Sequence, residues 1–181
     1  MMTVWLAVET AFEPSRETVI IEKGNNEMKI AKWNEKVCAM MDELCMDNNI
    51  KYCNQDDGAL FCDNAGTWLL FSPGSVILSA NDGKNSVPAL ANHWKRAIES
   101  DSTIARENVS GWLNGMKCRK FENDNTVVYA REKFLRMFPK NTLFYLQSTT
   151  KPIIAGIWED GKLNVIGFVM PVYPKSEFVV A

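Results

Sequence analysis

One histidine, His93, stands in 181 residues. That scarcity removes most imidazole chemistry, because any Ser-His-Asp or Cys-His arrangement would rest on this residue alone. His93 falls on a helical pattern, where a surface or partly buried role is the plain reading. Cysteine is sparse as well. Cys38, Cys45, Cys53, Cys62 and Cys118 make an odd count of 5 and contain no Cys-x-x-Cys pair. Neither a disulfide framework nor a zinc knuckle is indicated. Cys38 and Cys45 are spaced to share one side of a helix, and a metal site with His93 is conceivable. Reduced thiols in or near a core are the simpler reading, and they fit a reducing cytoplasm. With 10 glycines the chain is not collagen-like.

Charge of one sign is also missing. Lys plus Arg is 20 and Asp plus Glu is 22, a net charge of −2. Nothing global draws this chain to nucleic acid or to a membrane, so such binding needs a local basic face. No run of 18 apolar residues exists to span a bilayer. The opening Met1-Met2-Thr3-Val4-Trp5-Leu6-Ala7-Val8 is too short for a signal h-region and has no basic n-region. A cytoplasmic protein is expected.

Catalytic signatures are absent too: no Gly-x-Ser-x-Gly, no His-Glu-x-x-His, no phosphate loop ending in Lys-Ser/Thr. Asp160-Gly161-Lys162 matches the Asp-x-Lys tail of a metal-dependent nuclease, which would use a second carboxylate to hold Mg²⁺. At a hairpin tip, however, Asp-Gly is wanted for backbone reasons alone, and Asp56-Asp57-Gly58 has the same explanation. A non-enzyme with no cofactor and no metal is expected.

What is present is an ordinary globular composition. Hydrophobic residues make up 46% and charged residues 23%, enough apolar material for a core. Residues 1–27 read as an arm or upstream extension with a strand candidate Thr18–Ile21. Lys23-Gly24 can be encoded by a purine-rich ribosome-binding sequence just ahead of Met28, so Met28 is a candidate alternative start. The spacing of Ile30, Trp33, Val37, Met40, Met41 and Leu44 predicts a helix over 28–46, ended by Asp47-Asn48-Asn49. Strands are predicted at 59–62, 67–71 and 76–79, with Asp63-Asn64-Ala65-Gly66 as a hairpin loop. Residues 84–125 read as an irregular helical insertion. Pro88 opens one helix there, 109–116 is a second candidate, and 116–121 a strand. From 126 to 174 the pattern predicts a helix over 127–138, stopped by Pro139, then strands at 142–147, 152–158 and 163–172, with a turn at Glu159-Asp160-Gly161-Lys162. A seven-residue tail, 175–181, closes the chain. The expected class is α+β, with a helix-plus-three-strand unit at 28–83 and another at 126–174.

Basic residues collect on the predicted helices: Lys29, Lys32 and Lys36 on the first, Lys95 and Arg96 on the second, Arg131, Lys133 and Arg136 on the late one. Against a solvated helix face, the functional reading is a phosphate backbone met by Lys29, Lys32, Lys36, Arg131, Lys133 and Arg136. Most of the 6 Trp and 9 Phe fall on apolar phases and suit a core. Trp158, beside a hairpin tip, and Trp112 are the candidates for exposure, where an aromatic more often marks a protein interface than a base platform.

One segment carries a resemblance. Phe134-Leu135 and Phe138 on a helix are followed by Lys151-Pro152-Ile153-Ile154 and then Val165-Ile166-Gly167-Phe168-Val169-Met170-Pro171-Val172. This order resembles the last part of the bacterial DNA polymerase III beta subunit, the sliding clamp, over about 45 of 181 residues. The resemblance implies domains of two helix-plus-strands halves, with helices toward DNA. It also implies a hydrophobic pocket near the end that takes short motifs from partner proteins. Met170 and Pro171 would line it here, with the tail 175–181 placed to cover it. The clamp subunit has three such domains, whereas this chain has room for one.

The expectation is a non-catalytic binding protein of a prokaryote, phage or mobile element. It would act on a protein partner through Met170, Pro171 and Trp158, and on DNA through the basic helices. The rival is a counter-defence inhibitor that seats acidic turns such as Asp56-Asp57 and Glu159-Asp160 in the nucleic-acid groove of a host nuclease, for instance a CRISPR effector.

Overall fold

The computed structural model describes residues 29–45, 50–74 and 87–181. The arm with its strand candidate at 18–21, the start at Met28, the turn at 47–49 and the strand at 76–79 lie outside the described residues.

Helix α1 spans Ile30–Cys45. Its period brings Trp33 and Val37 one turn apart onto the same face, and both are fully buried. At its start the Ile30 N–H donates to Glu159 Oε2 at 3.1 Å, which satisfies one of the orphan donors of the first turn. Strands β1 (Ile50–Gln55), β2 (Gly58–Asp63) and β3 (Trp68–Pro73) follow as a meander. The loop between β2 and β3 is set as expected: Gly66 takes φ +64°, its N–H donates to Asp63 O at 3.0 Å, and the Asp63 carboxylate accepts from both Thr67 N–H and Thr67 Oγ1. β1 was not foreseen, because its polar run Ile-Lys-Tyr-Cys-Asn-Gln lacks apolar alternation; it forms by pairing with β2.

Helix α2 spans Ala89–Ile98 behind Pro88, and Leu90, Trp94 and Ala97 form its buried face. Then come β4 (Thr103–Ile104), β5 (Glu107–Leu113), β6 (Met116–Glu122) and β7 (Val127–Arg131). The expected helix over 109–116 is therefore strand β5 and a hairpin turn. Asn114 and Gly115 take φ +52° and +73°, the left-handed pair of a tight two-residue turn. The helix expected over 127–138 is likewise wrong in its first part. Its Val-Val-Tyr opening suits a pleated surface, Val128 and Ala130 alternate into the core, and β6 supplies a partner along the whole of β7. Only Glu132–Leu135 is helical, as the single turn α3. Strands β8 (Leu143–Leu146), β9 (Ile153–Glu159) and β10 (Lys162–Val169) agree with expectation, as does the turn at Asp160 and Gly161, with φ +52° and +75°. The tail ends in β11 (Val179–Val180).

The class is α+β, and every strand pair is antiparallel. The main sheet has seven strands in the order β1-β2-β3-β10-β9-β8-β4; a second sheet has four, β11-β5-β6-β7. Two runs share an order, α1-β1-β2-β3 and α3-β8-β9-β10, and their strands meet at β3 and β10 in the middle of the main sheet. Both faces of this sheet are covered. Phe61, Trp68, Leu70, Ile153, Ala155 and Ile166 face α1, α3 and the second sheet; Leu60, Cys62, Leu69, Phe71, Ile154 and Phe168 face α2. Burial on two sides explains why β2 and β3 read as unbroken apolar runs. Among the described residues, no helix is long and apolar enough to cross a membrane.

A groove between the second helix and the main sheet as candidate functional site

Helix α2 is short beside the sheet it covers. Where it stops covering, a cavity of about 430 Å³ opens at the ends of β3, β9 and β10. Its apolar lining includes Leu69, Leu90, Ala97, Pro152, Phe168 and Met170; polar side chains come from His93, Arg96, Gln147 and Lys151. Antiparallel register gathers these residues. Phe168 lies opposite Leu69 on β3 and Ile154 on β9, so Met170 and Lys151-Pro152, just beyond those strands, emerge at the same end of the sheet. The Met170 N–H donates to Thr67 O at 2.8 Å, which fixes the segment beyond β10.

Gln147 ties the helix to the sheet. Its Nε2 donates to Ala97 O at 2.5 Å and to Ser100 O at 3.3 Å, joining the C-terminal end of α2 to the end of β8. With both donors directed into α2, its Oε1 is buried and has no partner among the described residues. Among the described residues the lining holds no carboxylate, so Arg96 and Lys151 give it a positive rim. Cys62 is in its floor, but its thiol is no nucleophile: burial, then the Asp63 charge, against a smaller pull from Lys51, push it up to about 11.

The structure separates the expected protein-binding residues. Met170 is in the groove. Pro171 follows it, half-buried, outside the lining. Trp158 is 37% exposed at the opposite end of β9 from Pro152, paired with Leu163, so it belongs to another surface. The tail does not cover the groove. It crosses to the second sheet, where β11 pairs with β5. Asn114 holds it there, donating to Tyr173 O and accepting from the Lys175 N–H, both at 2.8 Å. Phe178 packs on Tyr129 and over Gly111, where a Cβ would collide with its ring and with Val179 O.

The basic residues sort differently. Lys29 and Lys32 are exposed on α1. Lys36 is partly buried, donates from Nζ to Met137 O at 2.7 Å, and has its pKa lowered by burial. That bond sets α1 beside the turn after α3. Lys133 is exposed, its Nζ 4.7 Å above the Phe134 ring. Arg136 pairs with Glu132 at 3.3 Å. Arg131 is on the far side of β7 from these, opposite Cys118. For the conceivable Cys38–Cys45–His93 metal site, the side chains of Cys38 and Cys45 lie outside the described residues; helices α1 and α2 pack on opposite faces of the main sheet. Among the described residues, no group of three or more His, Cys, Asp or Glu side chains is gathered as metal ligands. Asp160 is an exposed hairpin-tip residue.

Sequence reasoning missed Leu90, His93, Arg96 and Gln147 as groove residues and Lys117 and Arg119 as basic partners of α3. Leu90, His93 and Arg96 could have been found from the apolar face of α2 and its flank, whereas Gln147 follows β8 and is brought there only by the fold. The second depends on 116–131 being two paired strands, which the helix reading hid. Comparison with family models, curated proteins and solved structures finds no match to this chain.

Proposed function

We propose that this protein is a non-catalytic binding module that captures a short apolar segment of a partner protein in the groove beside α2. The observation that carries the reading is the convergence of Met170 with Lys151-Pro152 at one apolar cavity under a cationic rim. Cavities of this size, apolar with a few placed polar groups, take ligands of a few side chains. The occupant fitted by this chemistry is a peptide with Leu- or Phe-like anchors and an acidic residue placed against Arg96 and Lys151.

The sliding-clamp resemblance is compatible with this reading. Its pocket residues would include Met170, and the shared order of α1-β1-β2-β3 and α3-β8-β9-β10, meeting at β3 and β10, supports a paired-unit architecture. Under it, DNA is a second partner, reached through Lys29, Lys32, Lys133 and Arg136 on the α1–α3 side. Ring closure would take several copies of this chain. The cytoplasm is the compartment proposed with it.

The test is fluorescence anisotropy with arrays of ten-residue peptides that combine Leu or Phe with Asp or Glu. A Kd on the order of 10 μM, weakened at least tenfold by Met170→Ala and by Arg96→Glu, is expected. Binding that ignores both substitutions, or no binding by any such peptide, sinks the groove as the site. Suppression of a nuclease with the groove residues mutated would favour the inhibitor instead.

A further inference from the structure

A second site is built away from the groove, between β6 and α3. Glu132 opens α3 and is 7% exposed, one of the few buried charged residues. Three cations converge on its carboxylate. Lys117 Nζ is 3.4 Å from Oε2, Arg136 Nη2 is 3.3 Å from Oε1, and Arg119 Nη2 is 3.8 Å from Oε1. Lys117 and Arg119 come from alternate positions of β6 and so project on the same side, beside α3. Burial alone would raise the Glu132 carboxyl. Hydrogen bonds and charge from Arg136 and Lys117 outweigh it and hold the group below the ordinary carboxylate range.

One carboxylate needs one cation. Among the described residues, three leave a surplus of two positive charges held a few ångströms apart, which is repulsive unless something else shares them. Arg119 adds a second sign of incompleteness, since its Nε is buried with no hydrogen-bond partner among the described residues. The neighbouring Lys36, fixed on Met137 O at 2.7 Å, adds positive charge one residue from Arg136. The heads of Lys117 and Arg136 remain open to solvent, at 46% and 68% side-chain exposure.

We infer that Lys117, Arg119 and Arg136, anchored by Glu132, form a binding site for a phosphate group. Glu132 is a positioning residue: it orders three flexible cations before the ligand arrives, so less side-chain entropy is lost on binding. The planar forks of Arg119 and Arg136 suit the oxygens of a tetrahedral oxyanion, and Lys117 adds a point charge. The phosphate comes either from a free phosphate compound or from a nucleic-acid backbone.

The experiment uses the full chain and two probes, inorganic pyrophosphate by calorimetry and a 20-nucleotide single-stranded DNA by anisotropy, at low salt. Wild type is expected to bind at least one probe, and Arg119→Gln and Lys117→Gln to weaken that binding about tenfold each in protein that circular dichroism shows to be folded. Lys95→Gln, exposed on α2 at the other face of the main sheet, should leave pyrophosphate binding intact. A response from pyrophosphate assigns a free-phosphate source; a response from DNA alone assigns the polymer. Binding indifferent to both substitutions in folded protein, or no binding of either probe, overturns the site. Met170→Ala should leave this binding unchanged, which separates its failure from that of the groove.

Discussion

The two faces of the main sheet are finished to different degrees. On one, α1, α3 and the second sheet join the strands in a single cluster of eighteen buried residues. On the other, the ten-residue α2 and the strands share a cluster of eleven, three of them on α2 itself, and the cavity opens beside the helix. The strands carry buried apolar residues on both faces, and among the described residues the covers differ. The closed face shows what this sheet does when it is fully packed. Among the described residues, the other face keeps an apolar cavity beside its helix, the feature on which the proposed peptide site rests.

The largest test of that contrast is Trp33→Ala on the closed face. Trp33 is fully buried, stacks on Phe138 at 6.0 Å and donates from Nε1 to Phe71 O at 2.8 Å. Chemical denaturation should show a loss of about 4 kcal/mol, since the void is sealed and an acceptor is stranded. A loss near 1 kcal/mol would mean that this face is not closed.

Glu132→Gln comes next, at about 2–3 kcal/mol at neutral pH, the lower end for a buried charge partner because Lys117 and Arg136 reach solvent. The native carboxyl is held below its ordinary value of 4.5. Its contribution is therefore full above that value and is lost as pH falls through the lower native one. Wild type and variant should converge in stability on acidification; a gap that stays constant down to pH 3 would contradict the ion cluster.

On the open face, Leu90→Ala should cost about 2 kcal/mol, less than a sealed site would, because the space it leaves joins the groove rather than forming a void. Smaller again is Met170→Ala, which is half-buried and should lower stability by about 1 kcal/mol while removing most peptide binding. An equal loss from Leu90 and Met170 would show that the groove is core and not a site. The Cys62 thiol gives the last check. With its pKa near 11, it should react with iodoacetamide at pH 8 far more slowly than a free cysteine peptide, although it borders the groove.

How much of this could be read in advance differs by segment. The hairpins declared themselves, because Asp63 to Gly66 and Asp160-Gly161 are short, polar and supply left-handed residues between apolar runs. The helix at 30–45 declared itself through Trp33 and Val37. The segment at 127–131 did not. Val127, Val128 and Tyr129 fit a helical face as a list, and only the neighbouring strand β6 turns them into a strand. Met170 was named through the sliding-clamp resemblance, and the structure puts it in the groove lining. Its companions Leu90, Arg96 and Gln147 were not, since they are far from it in the chain. The basic residues were visible one by one, but their meeting through Lys36 and Met137 was not.

The sequence by itself determined the α+β class, the two framing hairpins, the α1 and α2 faces, and the lack of a global charge that would draw polyanions. These depend on local periodicity, turn chemistry and composition, which need no partner. Tertiary structure alone decided that 127–131 is a strand and that the tail seats on β5. It also decided that Met170, Pro152 and α2 enclose a groove, and that Lys117, Arg119 and Arg136 share one carboxylate. Each of these is a contact between residues far apart in the chain. Local preference there is nearly balanced, so the pairing energy across the sheet chooses.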